Sequence, residues 1–173
     1  MTPQSLTQIA TLRAFTIFRI VFGLVWLIDG VMKFVWLQAS DVVNLVTNSG
    51  SGQPNWLSGW YSFWTNSVTS APATYLYGIG AVEVLLGLGL IVGFLRKITY
   101  FAGIILSVMI WAIDEGFGGP YGPGSTDIGA AIMYVFVFVA IMLLERSADY
   151  SRFSLDSLIE RKFNGWNQLS EFW

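Results

Sequence analysis

Residues 11–37 read TLRAFTIFRIVFGLVWLIDGVMKFVWL. A helix needs about 20 mostly apolar residues to cross a bilayer, and this run supplies them with only Arg13, Arg19, Asp29 and Lys33 as charges. The apolar stretch continues through Asp29 and Lys33 with no small-residue cleavage site, so it is expected to be retained rather than removed as a signal peptide. Three more such runs follow at about residues 73–95, 98–114 and 126–145; the first of these is the second span, and the 98–114 run is short unless Lys97 and Asp114 snorkel to the interfaces. The pattern predicts an all-α integral membrane protein, a four-transmembrane-helix bundle forming a single domain over residues 1–173.

Composition agrees. Of 173 residues, 54% are hydrophobic and 12% charged, roughly half the charged share of a soluble domain. The 8 Trp, 13 Phe and 7 Tyr exclude disorder. With a formal charge of -2 and no basic run, the footprint of a nucleic-acid binder is missing. The absence of Cys and His removes disulfides, thiolate nucleophiles, iron-sulfur ligation, His-ligated haem and nearly all zinc and copper sites. Redox chemistry in such a chain is expected to use a diffusible carrier or a partner chain.

Lys and Arg set the expected orientation. Arg13 precedes the first span, Arg96 and Lys97 fill the turn between the second and third, and Arg146, Arg152, Arg161 and Lys162 follow the fourth, whereas the loops at 38–72 and 115–125 have none. By the positive-inside rule both termini are cytoplasmic and both loops external. In the first loop Leu57, Trp60, Tyr61, Trp64 and Val68 recur at helical spacing, which predicts a short interfacial helix. It reads either as an aromatic belt in the outer leaflet or as a lid over a lipid-soluble substrate. In the cytoplasmic tail, residues 146–173, Leu155, Leu158, Ile159 and Phe163 share a face, with Asp156, Glu160 and Arg161 left for water. An amphipathic C-terminal helix there is expected to dock on the leaflet or on a partner subunit.

Ionisable groups inside a membrane are costly unless paired or hydrated, so each begins as a functional candidate. Arg19, Gly23, Trp26, Gly30 and Lys33 share one stripe of the first helix, and Gly80, Glu83 and Gly87 one of the second. Small residues beside the charges would let the backbones approach, and an Arg19–Glu83 ion pair is expected. The pair either fixes helix register or makes Glu83 a proton-linked carboxyl beside a quinone. Tyr100, Gly103, Ser107, Trp111 and Asp114 line up on the third helix, and Asp127, Ala131, Tyr134, Phe138 and Glu145 on the fourth. Gly89 and Gly93 form a further candidate for close helix packing. At the outer end Asp29 and Lys33 are spaced to pair, Asp114 and Glu115 end the third helix, and Asp127 opens the fourth. Ser125 or Thr126 can cap the fourth helix, whose N-terminus with the glycine-rich loop before it forms either an anion site or a rigid turn.

Several of these residues resemble a known group. Arg19 with Gly23, the Asp29-Gly30-x-x-Lys33 ending, Glu83-x-x-x-Gly87 with Arg96, and the segment from Asp114 to Gly129 are similar to the DoxX/DoxD family of small four-helix membrane proteins, over about residues 15–145. The acidic, Gly-Pro-rich segment resembles the DoxD branch most. That resemblance implies a multi-pass cell-membrane subunit of a thiosulfate:quinone oxidoreductase, working with a separate subunit at the outer face. It implies quinone as a diffusible substrate, and no metal, haem or flavin held by this chain. Thiosulfate would approach Lys33 and the 116–126 loop; Glu83 would handle protons, Arg19 would hold its charge, and Tyr134 or Trp111 would touch the quinone headgroup. Asp29, Asp114, Glu115, Ser125, Thr126 and Asp127 complete the expected substrate-binding set. The competing reading is a non-catalytic accessory subunit of a larger membrane enzyme, a terminal oxidase or a membrane monooxygenase; a transporter or channel is a third.

Overall fold

The computed structural model describes residues 3–121, 127–147, 153–163 and 165–172. Among them every regular element is helical: α1 (Pro3–Val35), α2 (Ala39–Ser49), α3 (Ser58–Ser70), α4 (Pro72–Val92), α5 (Arg96–Ile113), α6 (Ala131–Ser147), α7 (Leu155–Glu160) and α8 (Asn167–Ser170). Three are long and apolar enough to cross a membrane: Gln8–Val35 within α1, α4 and α5. Among the described residues the fourth apolar run becomes helical at Ala131: residues 127–130 are not helical, and α6, with 17 residues, is at the short end of the lengths that span a bilayer. Gly129, at φ +96°, turns the chain just before the helix begins.

α1 and α4 run antiparallel in close contact. A Cβ on Gly23 would lie 2.9 Å from the Gly87 carbonyl oxygen, and one on Gly30 would lie 2.8 Å from that of Gly80. The sequence stripes therefore do face each other, glycine against glycine. Gly89 and Gly93 do not extend that seam. Gly89 faces Thr99 of α5, and Gly93, at φ +68°, ends α4 in the left-handed conformation. The chain turns there within Phe94 and Leu95 and enters α5, so α4 and α5 form a tight hairpin.

α6 packs on α5, where the Phe138 ring fills the space left by Gly103. Phe22 and Trp26 of α1 meet Tyr134 and Phe138 of α6; the Phe22 and Phe138 ring centroids are 4.9 Å apart. Such edge-to-face pairs each contribute about 0.5–1.5 kcal/mol beyond area burial. The bundle thus has two ends, one marked by Lys33 and the other by Arg96.

The long loop at the Lys33 end is a helical cap. α3 forms where its aromatic spacing predicts, with Tyr61 and Val68 buried. α2 went unpredicted although Val42 and Val46 lie one turn apart; both are buried, with Val68, Leu76 and Ile113 beneath them. At the Arg96 end the tail folds back on the bundle with Asp156 and Glu160, expected to face water, turned inward, while Arg161 stays exposed. Asp156 is fully buried, while Leu158 is 56% and Phe163 64% exposed. Buried Arg96 draws two tail carboxylates, Asp156 and Glu160, inward, which turns the apolar side out.

Candidate functional site

The expected Arg19–Glu83 pair does not form. Lys33 Nζ lies 2.7 Å from Glu83 Oε2 and 3.1 Å from Asp29 Oδ2. The reason is the lean of helical side chains toward the N-terminus of their own helix. α1 and α4 are antiparallel, so Lys33 leans along the bundle toward Glu83 and Glu83 leans toward Lys33, whereas Arg19 leans away. Glu83 is fully buried, and Lys33 alone among the described residues balances its charge directly.

Arg19 belongs to the other end. Its Nη1 lies 3.9 Å from Glu145 Oε1, and Nη2 donates to the Phe153 carbonyl at 2.9 Å. Arg96 Nη1 lies 3.4 Å from Glu145 Oε2, and Tyr100 Oη donates to Glu145 Oε1 at 2.8 Å. Asp156 of α7 completes this cluster. Its carboxylate accepts the backbone N–H groups of Leu95 and Arg96, the Arg96 Nε–H and the Trp166 indole N–H, at 2.9–3.1 Å. A carboxylate from the tail thereby caps the start of α5. Glu145 was readable from its spacing after Phe138; nothing in the sequence around Asp156 marks it as buried.

Beside the Lys33 group lies a cavity of about 420 Å³ between α1, α5 and α6. Its wall includes Trp26, Asp29, Met32, Ile110, Glu115 and Tyr134. Trp26 is 2% exposed, and its indole N–H has no hydrogen-bond partner among the described residues. That size is within the range of small-molecule sites, and the lining is apolar with a few polar groups, as such sites usually are. The sequence put Trp26 on the charged stripe without assigning it a role; the cavity gives it one.

The structure brings Asp29, Lys33 and Glu83 together and places Glu115 and Tyr134 on the cavity wall. The remaining candidates do other things. Glu115 accepts the Ala131 N–H at 2.9 Å, so the chain's own carboxylate sits where an anion at the α6 N-terminus would bind. Trp111 Nε1–H donates to the Ile128 carbonyl at 2.7 Å, and Asp127 accepts the Gly129 N–H at 2.8 Å, so both hold the turn that leads into α6. Ser125 and Thr126 lie outside the described residues. Asp114 borders a separate apolar cavity of about 210 Å³ under the cap, with Trp64, Met109 and Val68.

Asp114 lies just past the end of α5, and burial raises its pKa to about 6 from 3.8; Lys33 opposes the shift and Glu115 adds to it. The folded chain then binds this proton more tightly than the unfolded chain. Asp114 therefore contributes stability that is greatest near pH 4 and falls as pH rises toward 6. Asp114→Asn is expected to remove that part of the slope, read as the difference between wild-type and mutant melting curves from pH 4 to 7 in detergent. Equal slopes would refute it.

Among comparisons with known proteins, the family model DoxX matches residues 14–115. No curated protein matches the chain, and no solved structure does.

Proposed function

Because this chain belongs to the DoxX family, we propose that it is the membrane subunit of a redox complex and that the cavity between α1, α5 and α6 takes a quinone. The observation that supports this most is the apolar cavity itself, walled by Trp26 and Tyr134 and bordered by Asp29 next to the Lys33–Glu83 pair. The Tyr134 hydroxyl on its wall can donate to a quinone carbonyl, and Asp29 and Glu115 can accept from quinol hydroxyls. Reduction of a quinone takes two electrons and two protons, and the proposal gives the two protons to Glu83 with Lys33, joined to the cavity wall through Asp29. Lys33 takes over the charge-holding role expected of Arg19.

Within this proposal the electrons come from thiosulfate, two of which couple to tetrathionate as two electrons leave. Lys33 is already shared by two carboxylates, and Asp114, Glu115 and Asp127 lie near the same end. A dianion is repelled there, so its oxidation is assigned to a partner subunit docked on the cap. The proposal keeps the four passes, with α6 completing the fourth, and places the Arg96 end in the cytoplasm of a cell-membrane protein by its basic residues. Trp56, 80% exposed on the cap, suits a docked partner, and with the amphipathic tail it suits a purely accessory subunit equally.

Glu83→Gln in the purified complex is expected to lower thiosulfate-driven quinone reduction on the order of 100-fold, the usual contribution of a positioned proton-transfer group. A wild-type rate across pH in folded Glu83→Gln protein would overturn the proton role. A photoreactive quinone analogue is expected to label the Trp26 or Tyr134 wall; labelling confined to other surfaces would overturn the site. Copurification of oxidase or monooxygenase subunits without quinone labelling would support the accessory reading.

A further inference from the structure

Phe153, Leu158, Phe163 and Leu169 point outward from a tail whose polar side is locked inward. The lock is specific: Asp156 N–H donates to the Gly93 carbonyl at 3.1 Å, its carboxylate holds the first N–H groups of α5, and Glu160 lies 3.7 Å from Arg96 Nη2. It fixes α7 at the level where α4 ends and α5 begins, which is where membrane-length helices leave the hydrocarbon. The outward face is also continuous with the exposed belt of α5. Phe172 contacts Phe101, centroids 5.9 Å apart, and Ile98 and Phe101 are exposed beside it.

The charges on this surface have one sign in excess. Arg161 and Lys162 are exposed next to Phe163, and Lys97 Nζ donates to the Gln168 carbonyl at 3.3 Å. Among the described residues of the tail, Asp156 and Glu160 are turned into the bundle, and Glu171 is the remaining acidic residue. Apolar side chains flanked by Lys and Arg suit the boundary of an anionic leaflet.

We propose that the outward face of the tail, Phe153, Leu158, Phe163 and Leu169, inserts into an anionic phospholipid surface, with Arg161, Lys162 and Lys97 against the lipid phosphates. Exposed apolar groups would then be covered by lipid, and the latch on α5 would be pressed closed by the membrane itself. The inference is independent of what occupies the cavity.

The chain has no Cys, so Leu158→Cys, Phe163→Cys and Asn167→Cys each carry one spin label without background. Full-length protein is placed in nanodiscs of phosphatidylcholine with phosphatidylglycerol. The ratio of collisions with oxygen to collisions with a water-soluble nickel chelate is expected to be higher at 158 and 163 than at 167. Arg161→Gln with Lys162→Gln, or pure phosphatidylcholine, is expected to lower it, since each basic group near an anionic surface changes partition by about fivefold. Equal ratios at all three sites in the anionic discs would overturn the proposal. So would a high ratio at 158 and 163 that ignores lipid charge, or label immobilisation only when another protein copurifies.

Discussion

Asp156→Ala is expected to cost about 3–5 kcal/mol, the usual loss when one partner of a buried ion pair is removed. The substitution strips the Arg96 Nε–H, two backbone N–H groups at the start of α5 and the Trp166 N–H of their acceptor at once. Arg96 and Arg19 would then share Glu145 as their remaining deep carboxylate. Asp156→Asn should recover part of the loss, because an amide oxygen still accepts. Glu160→Gln should cost no more than about 1 kcal/mol, since Glu160 is partly exposed and its 3.7 Å approach to Arg96 is long. Melting followed by intrinsic Trp fluorescence in detergent measures all three. A midpoint for Asp156→Ala equal to that of Glu160→Gln would refute the cap.

The second large effect is expected at the glycine seam. A Cβ on Gly87 would lie 2.6 Å from the Leu27 backbone nitrogen and 2.8 Å from the Gly23 carbonyl oxygen. Neither atom can rotate away, so Gly87→Ala must push α1 and α4 apart, at about 1–3 kcal/mol. The same shift would lengthen the Lys33–Glu83 contact, so under the proposed proton role quinone reduction should fall together with stability. Gly78→Ala is the control in the same helix. Nothing lies within 4 Å of its Cβ position, and alanine should stabilise it by up to about 1 kcal/mol through helix propensity. Equal melting temperatures for the two variants would show that the seam is looser than its geometry implies.

These two sites mark what could be read from the chain and what could not. Periodicity gave the long helices, the facing stripes of α1 and α4 and the buried side of α3, because a 3.6-residue period depends only on sequence. It fixed the angle of Arg19, Glu83 and Lys33 around their helices but not the height at which side chains meet. That height depends on the antiparallel register set by Gly23, Gly30, Gly80 and Gly87, and on opposite leans of the side chains. In the tail the periodicity was present, but its usual meaning reversed. A six-residue helix with Leu155, Leu158 and Ile159 on one face normally buries that face; here Arg96, already inside the bundle, outweighs it by holding Asp156 and Glu160. The start of α6 was misplaced because its cap is Glu115, 16 residues upstream, and no local pattern reports a cap that arrives from another element.

The two charged clusters differ in when a growing chain can complete them. Asp29, Lys33 and Glu83 all lie in the first half of the sequence, so the Lys33 end can neutralise itself as soon as α4 has been made. Arg19 and Arg96 precede Glu145, Asp156 and Glu160, their acidic partners. At about 5–20 residues per second of synthesis, Arg19 waits several seconds or more for its carboxylate, and the Arg96 end closes only once Asp156 has been made. Closure of that end is thereby tied to synthesis of the tail, and a chain that stops before Asp156 leaves Arg19 and Arg96 to share Glu145.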